Sequence, residues 1–245
     1  MILTIADTYE ELSKLAADDL IQILKGKKNP LLCTASGDTP TGLYKQLMEH
    51  QQSGEIDAAQ WYFAGLDEWV GKNGSDEGSS RYYLDQQLYH PLQIPAEHIS
   101  FFDGRAADLI EECRKMEAFI QQHHITVAVV GLGMNGHIGF NEPGVSLEHR
   151  THVVDLDETT KKVGQKYFKE QQVLTQGITI GFAALMEAEH IFLMASGTHK
   201  AAIIQQVLEG PETAQVPGSL LRRHPNLHVY LDKEAAQLLT TLEKA

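Results

Sequence analysis

The sequence predicts an α/β fold of three layers, in which helices cover both faces of a mostly parallel, open sheet of the Rossmann-like type. Two observations indicate this fold class. Short apolar segments rich in β-branched residues alternate with amphipathic segments of helical period along almost all of the 245 residues. No linker rich in proline, glycine or serine and no internal repeat interrupts the alternation, so we expect one domain over residues 1–245.

The predicted elements alternate in order along the chain. Each expected strand is a short apolar run, and the expected helices repeat apolar residues three or four positions apart, as Leu43 and Leu47 do. The expected strands are Leu31–Ala35, Trp61–Leu66, Ile99–Phe102, Thr126–Val130, Ile191–Ala195 and His228–Leu231. The expected helices are Tyr9–Leu24, Pro40–His50, Ser80–Leu88, Ala106–His123, His199–Leu208 and Lys233–Leu242.

One segment, Glu158–Gln176, departs from this pattern. It is polar and rich in lysine, and it offers few positions for a core. We therefore expect a mobile flap at about 158–176 that opens to admit a ligand.

The composition narrows the possible partners and the compartment. A formal net charge of −13 argues against nucleic acid or an anionic membrane as a partner, because either would require a basic face. No apolar run approaches the ~18 residues of a membrane span, and Met1–Asp7 lacks the basic region and cleavage site of a signal peptide. Cys33 and Cys113 are too few for a disulfide framework. We expect a cytoplasmic protein with buried thiols.

The most informative segment is Gly131–Gly144, which directly follows a predicted buried strand. Its first glycines match the dinucleotide fingerprint G-x-G-x-x-G, with Asp155 about 20 residues further on. That fingerprint requires a helix at its third glycine, but a proline and two more glycines follow closely and prevent one. A purely structural turn remains open, although it would not require His137 and Glu142 five residues apart. We expect a catalytic loop at the carboxyl end of a strand.

A second strand end carries a Ser-Gly-Asp turn. Thr39 is expected to cap a helix that begins at Pro40. Free backbone N–H groups at that helix start, together with the hydroxyls of Ser36, Thr39 and Thr41, predict an anion site. Ordinary capping explains Thr39 and Pro40 but not Ser36 and Gly37. No Gly-Lys-Ser/Thr follows, so the turn is not a Walker A loop.

Two further strand ends carry charged side chains. Asp67 and Glu68 end an apolar strand, and because successive strand residues point to opposite faces, one carboxylate can face a pocket while the other anchors the loop. Burial beside apolar rings would raise the pKa of such a carboxylate, which suits a general base. A solvated strand end is the alternative. Lys200 lies in the first turn of a predicted helix, where the helix dipole disfavours a cation unless an anion binds there. A lysine that extends into water is its alternative.

Other chemistries find little support in the sequence. The pairs His123–His124 and His149-x-x-His152 lack the spacing and the glutamate of zinc-binding helices, so we expect no metal site. No Gly-x-Ser-x-Gly occurs, which argues against a serine hydrolase of the α/β type.

Taken together and in this order, the strand ends resemble those of the glucosamine-6-phosphate deaminase/isomerase family over essentially the whole chain. The related 6-phosphogluconolactonases share the fold and a Gly-His loop, but that loop does not usually continue into Asn-Glu-Pro-Gly. Their counterpart of Asp67 and Glu68 normally carries an arginine. The segments that carry the resemblance are Leu66–Gly71, Gly136–Gly144, Ser36–Pro40, Ser79–Tyr83 and Ser196–Ala201.

The resemblance implies a cofactor-independent reaction on a small amino-sugar phosphate. Glucosamine 6-phosphate would be opened to its linear form, isomerised from aldose to ketose imine, and hydrolysed to fructose 6-phosphate and ammonia. Asp67 would move a proton between C2 and C1. His137 would assist ring opening, oriented by Glu142 and Asn135. The phosphate would be bound by Ser36, Gly37, Asp38, Thr39, Thr41, Lys166 and Lys200.

Three departures from the family pattern bear on these roles. Asn135 stands where many members have aspartate, so it can hold the imidazole of His137 by a hydrogen bond but supplies no charge. Lys166 stands where many have arginine, so a bidentate clamp becomes a point charge. His152 and two valines replace the basic residues of the effector sites in longer, hexameric members, and this chain ends soon after Leu242. We therefore expect no allosteric control.

Three alternatives remain open at this point. A galactosamine-6-phosphate deaminase would differ only at C4 of the substrate. A 6-phosphogluconolactonase would hydrolyse without releasing ammonia. A phosphosugar-binding regulator would need only the phosphate site. We expect a monomer or a small homo-oligomer.

Overall fold

The structure, a computed structural model, describes residues 1–240. Within this range the strands are β1 (Ile2–Ala6), β2 (Leu31–Thr34), β3 (Tyr62–Gly65), β4 (Asp67–Trp69), β5 (Ile99–Ser100), β6 (Ile125–Gly131), β7 (His152–Asp155), β8 (Gln176–Thr179), β9 (His190–Ala195) and β10 (Leu227–Asp232). The α-helices are α1 (Tyr9–Leu24), α2 (Asp38–Gln52), α3 (Ser80–Leu84), α4 (Leu109–His123), α5 (Glu158–Gly164), α6 (Phe182–Met186), α7 (Ala201–Glu209) and α8 (Lys233–Ala236).

Seven strands form the main sheet in the order β1-β10-β9-β6-β2-β3-β5, and every neighbouring pair is parallel. From β2 the chain moves outward through β3 and β5, then returns to β6 and moves the other way through β9 and β10. The carboxyl ends of β2 and β6 therefore flank the point at which the winding reverses. Open α/β sheets bind ligands at this point.

Both faces of the sheet are buried, as the sequence predicts. In β6, Val127 and Val129 pack into the cluster that contains α1 and α2. The alternate residues Ala128 and Val130 pack into the cluster that contains α4 and α7. A central parallel strand that is covered on both sides is apolar at every position, which explains its uninterrupted Val/Ala run. The three-layer α/β fold is confirmed.

A second sheet of three short strands was not predicted. It is antiparallel, in the order β4-β8-β7, with Asp67 opposite Thr179. Its strands are three or four residues long and mix polar with apolar side chains, so their alternation is too brief to detect in the sequence. The edge strand β1 was missed for a similar reason, since only its last residue is fully buried.

The helix that follows β2 begins earlier than predicted. It starts at Asp38, with Gly37 as its N-cap at φ +106°, so Thr39 lies inside the first turn and the prediction that it caps the helix is wrong. The positive φ of Gly37 lets the chain reverse within one residue, a conformation that a side chain at this position would resist. The N–H groups of the first turn consequently lie directly behind the carboxyl end of β2.

Several other predicted boundaries also differ from the structure. The predicted helix at 106–123 begins at Leu109, because the Asp108 carboxylate accepts from the Glu111 N–H and caps it. The strand predicted at 99–102 pairs only over β5, the helix predicted at 80–88 continues after α3 as a π-helix (Asp85–Tyr89), and that predicted at 199–208 begins as a 3-10 turn (Thr198–Lys200). The helix predicted at 233–242 ends at Ala236, and its last two positions lie outside the described residues.

The segment predicted as a flap has more buried positions than its sequence suggests. It forms α5 and then a 3-10 turn (Gln165–Tyr167), and Thr160 is buried. Leu174 packs with Trp69, Phe140 and Leu156 in a small cluster of its own. Its mobility stays a prediction.

Candidate active site

A cavity of about 610 Å³ opens at the carboxyl ends of the main strands. Its walls come from the turns after β2, β3, β6 and β9, and from residues 159–167. The four strand ends that the sequence singles out therefore converge on one cavity, beside the point where the winding of the sheet reverses.

Asp67 lines this cavity at the junction of β3 and β4. Its Oδ1 atom accepts a hydrogen bond of 3.0 Å from the Ser80 hydroxyl. Burial raises the pKa of Asp67 to about 6, although the Ser80 hydroxyl and the nearby His137 oppose that rise. A carboxylate with this pKa is ionised at neutral pH and is still basic enough to accept a proton.

The neighbouring Glu68 points away from the cavity and is fully buried. Its carboxylate accepts from the backbone N–H groups of Trp69, Ser80 and Arg81 at 2.9, 3.0 and 2.9 Å. Burial raises the pKa of Glu68 to about 7, although the hydrogen bonds from these three N–H groups act to lower it. The strand alternation thus separates the two carboxylates as expected, one facing the cavity and one holding the turn before α3.

His137 lines the cavity from the loop after β6. Its Nδ1 atom lies 3.1 Å from Glu142 Oε2 and 3.0 Å from the Thr160 hydroxyl. Burial alone would raise the pKa of Glu142, but hydrogen bonds from His137, Thr160 and Asn135 and the charge of His137 lower it overall. A Cβ at Gly133 would overlap the His137 ring at Nε2, so the ring can occupy this place only above a glycine.

Asn135 acts on the carboxylate rather than on the imidazole. Its Nδ2 donates to Glu142 Oε2 at 3.0 Å and to Asp157 Oδ1 at 3.3 Å. Its Oδ1 accepts from the backbone N–H of His137 at 3.2 Å. Asn135 therefore orients His137 through Glu142 and through the backbone, and the expectation that it bonds the imidazole directly is wrong.

The turn after β2 supplies polar groups at the opposite side of the cavity. Ser36, Gly37, Asp38 and Thr39 all line it. Thr41 does not, because its hydroxyl turns back to donate to the Gly37 carbonyl at 3.0 Å. The sequence placed all five residues at a phosphate site, and the structure brings four of them to the cavity.

Two lysines face this turn. Lys200 donates to the Leu132 carbonyl at 2.6 Å, and burial together with the charge of Lys166 lowers its pKa to about 8. Lys166 forms an ion pair of 2.7 Å with Asp38. Because a carboxylate repels a phosphate, we infer that Asp38 contributes its backbone N–H to any bound anion and not its side chain.

Sequence reasoning assigned no role to three residues that support this site. Ser80 belongs to a quoted motif, but only the fold brings its hydroxyl to Asp67. Thr160 lies in the predicted flap, which was read as unpacked. Asp232 accepts from the Ser196 hydroxyl at 2.5 Å and from Gly197 N–H at 3.0 Å, and so it fixes the turn after β9. Asp232 directly ends a strand, and the strand-end argument applied to β10 would have found it.

Residues 1–240 contain no group of three or more His, Cys, Asp or Glu side chains arranged to hold a metal ion. The rings of His149 and His152 lie 4.8 Å apart, and neither residue lines the cavity. In the same part of the chain, no helix has the length and apolar character of a bilayer span.

Comparison with known proteins agrees with this architecture. Residues 4–229 match the profile of the family described as glucosamine-6-phosphate isomerases/6-phosphogluconolactonase. The chain belongs to this family. The glucosamine-6-phosphate deaminase of Thermoanaerobacter pseudethanolicus is 39% identical over 241 residues, which is 98% of this chain and 95% of that protein. Glucosamine-6-phosphate deaminase 2 of Bacillus subtilis is 40% identical over 243 residues, 98% of each chain.

Two solved structures resemble this chain, one at higher and one at lower sequence identity. A structure described as a monomeric glucosamine-6-phosphate deaminase superimposes with a TM-score of 0.93 at 34% identity, covering 98% of this chain and all of that one. The 6-phosphogluconolactonase of Trypanosoma brucei superimposes with a TM-score of 0.77 at 20% identity, covering 98% of each chain. At 20% identity, the likeness to the 6-phosphogluconolactonase shows a shared fold alone.

Proposed function

We propose that this protein is a cofactor-independent glucosamine-6-phosphate deaminase, which converts its substrate and water to fructose 6-phosphate and ammonia in amino-sugar catabolism. One observation carries the proposal. Asp67 and the His137–Glu142 pair face the same cavity, and the Ser36–Gly37 turn and Lys200 face it from the other side. A linear sugar phosphate has its reacting carbons at one end and its phosphate at the other.

The proposed reaction begins with ring opening. His137 gives a proton to the ring oxygen and takes up the proton that the O1 hydroxyl loses, which leaves the linear aldehyde. The phosphate is bound by the turn N–H groups, by Ser36 and Thr39, and by the two lysines. These local cations and dipoles offset the repulsion that an acidic protein exerts on an anionic substrate.

Proton transfer between carbons follows. Asp67 takes the proton from C2, the C1=C2 bond forms, and the aldehyde oxygen takes a proton from the substrate's own ammonium group to give an enolamine. Return of the proton to C1 leaves an iminium at C2. Water adds to C2 and ammonia leaves, so that the product is the ketose. The substrate's own amine and carbonyl provide the electron sink, and the scheme needs no cofactor.

A non-catalytic phosphosugar-binding regulator would require the phosphate site alone. It would not require a carboxylate with a raised pKa and a histidine–glutamate pair on the same cavity. The names of the two relatives and of the structure that is 34% identical support deamination over lactone hydrolysis. The structure that is 34% identical is described as monomeric, which supports a monomer or a small homo-oligomer. A single domain over residues 1–245 and a cytoplasmic location are further parts of the proposal.

An ammonia-release assay on glucosamine 6-phosphate and galactosamine 6-phosphate, run side by side with a 6-phosphogluconolactone hydrolysis assay, tests the proposal. We expect ammonia and fructose 6-phosphate in equal amounts from the first substrate. Preference for the second would change the assigned epimer. Lactone hydrolysis without ammonia release would overturn the proposal.

A further inference from the structure

Ser80 connects two sides of the cavity through a single hydroxyl group. This residue opens α3 and is buried, with 3% of its surface exposed. Its Oγ donates to Asp67 Oδ1 at 3.0 Å and accepts from the Ser36 hydroxyl at 3.1 Å. A chain of two hydrogen bonds therefore runs from the turn after β2 to the Asp67 carboxylate.

The backbone holds Ser80 in place independently of this hydroxyl. Its N–H donates to Glu68 Oε1 at 3.0 Å, and the next N–H, of Arg81, donates to Glu68 Oε2 at 2.9 Å. The preceding Ser79 caps α3 through its own side chain. Because the main chain is fixed at three successive residues, the Ser80 hydroxyl is presented to Asp67 from a rigid support.

This arrangement distinguishes the two oxygens of Asp67. Oδ1 accepts the bond from Ser80. Oδ2 lies on the side of Gly139, where an added Cβ would be 3.3 Å from it, and no donor within residues 1–240 reaches it. A base that moves a proton between adjacent carbons must hold one oxygen over both of them. Because Ser80 holds Oδ1, Oδ2 is the oxygen that can reach both carbons.

We infer that Ser80 is a positioning residue for the Asp67 carboxylate, which it fixes through Oδ1 and joins to the phosphate-side turn through Ser36. The inference rests on the proposed role of Asp67 as the base. Three other titratable groups interact electrostatically with Asp67: Glu68 on the same strand, His137 on the loop after β6, and the buried Cys33 on β2. Substitution of Ser80 leaves all three in place.

The test compares four proteins: the wild type, Ser80→Ala, Ser80→Thr and the matched control Ser79→Ala. Loss of the donor to an ionised carboxylate should raise the pKa of Asp67, so the acidic limb of the kcat/KM profile should move up by about one pH unit in Ser80→Ala. The kcat should fall roughly tenfold with KM little changed. Ser80→Thr keeps the hydroxyl, so its acidic limb should lie at the wild-type position. Ser79→Ala should lower thermal stability and leave the limb in place.

A second measurement does not depend on turnover. The ¹³C shift of the Asp67 carboxyl, assigned by its loss in Asp67→Asn, reports the pKa of this group in the free protein. We expect it to rise in Ser80→Ala and to stay at the wild-type value in Ser79→Ala. Equal pKa values in wild type and Ser80→Ala would overturn the inference, as would an equal shift in both alanine variants. Failure of the proposed function would instead appear as absence of ammonia release from the wild type.

Discussion

The hydroxyl of Thr160 lies 3.0 Å from Nδ1 of His137, so a helix of the predicted flap contacts the histidine of the cavity directly. The same hydroxyl also supports Glu142, whose pKa it helps to lower. His137 is therefore held from two sides, by Glu142 from its own loop and by Thr160 from α5.

Removing this contact should slow the reaction. In Thr160→Val, which keeps the shape of the side chain, we expect kcat to fall by about threefold to tenfold, with KM little changed. Steady-state kinetics against Thr175→Val, an exposed threonine of the same segment, measures the difference. Identical kcat values in the two variants would show that Thr160 only fills space.

Asp67→Asn should abolish most of the activity, because an amide of the same shape cannot accept the C2 proton. We expect kcat to fall by about two to four decades while KM changes little. Rapid-quench or coupled ammonia assays have the sensitivity for this loss. Turnover near the wild-type level would refute Asp67 as the base.

We also expect Asp67 to make the stability of the wild type depend on pH, and Asp67→Asn is the reference for this effect. The folded pKa of Asp67 is raised to about 6 from 3.8, so the folded state binds the proton more tightly than the unfolded state. Its contribution to the free energy of unfolding is thus most favourable below pH 4 and is lost as the pH rises through 6. Relative to Asp67→Asn, wild type should lose on the order of 1–2 kcal/mol between these pH values. Urea unfolding at several pH values measures it, and a constant difference would contradict the raised pKa.

Lys200→Ala should weaken phosphate recognition. Loss of one charged hydrogen bond to a half-buried phosphate costs roughly 1.5–3 kcal/mol, which is about a tenfold to hundredfold rise in KM. Inhibition by inorganic phosphate should weaken in parallel. Lys45→Ala removes an exposed lysine of α2 and is the control. If phosphate inhibited Lys200→Ala and wild type equally, Lys200 would not belong to the site.

Asn135→Asp tests the network behind His137. The new carboxylate would replace a donor that lies 3.0 Å from Glu142 and 3.3 Å from Asp157, so three carboxylates would meet. Their repulsion should raise the pKa of Glu142 and lower stability at pH 7 by about 1–2 kcal/mol, a penalty that is relieved as the pH falls toward 4. Thermal unfolding at both pH values measures it. Unchanged stability would mean that the aspartate side chain leaves the cluster.

Hydrogen exchange tests the predicted flap. Amides of residues 158–176 should exchange more slowly when a phosphorylated substrate analogue is bound, because the segment supplies Lys166 and Thr160 to the cavity. Peptides from α1 serve as the internal reference. Equal protection of the segment with and without the analogue would identify a fixed element.

The sequence anticipated the four strand ends and every strand of the main sheet except the edge strand β1, because buried parallel strands are uniformly apolar and a polar residue after each one stands out. It could not anticipate β4, β7 and β8, whose three or four residues carry too short an alternation. It also missed the contacts of Ser80 and Thr160. These hydroxyls reach partners 13 and 23 residues away, and only the tertiary fold brings them together.

Thr160 touches His137, and six residues later Lys166 touches Asp38, on one continuous stretch formed by α5 and the following 3-10 turn. A helical segment this short, about 9–12 Å from Thr160 to Lys166, cannot shift at one end and stay fixed at the other. On the proposed assignment, Lys166, which would bind the phosphate, and Thr160, which contacts the imidazole of His137, should therefore move into place together. An amino sugar without its phosphate is then penalised twice, by weaker binding and by slower chemistry once bound, so discrimination against it should appear in kcat as well as in KM.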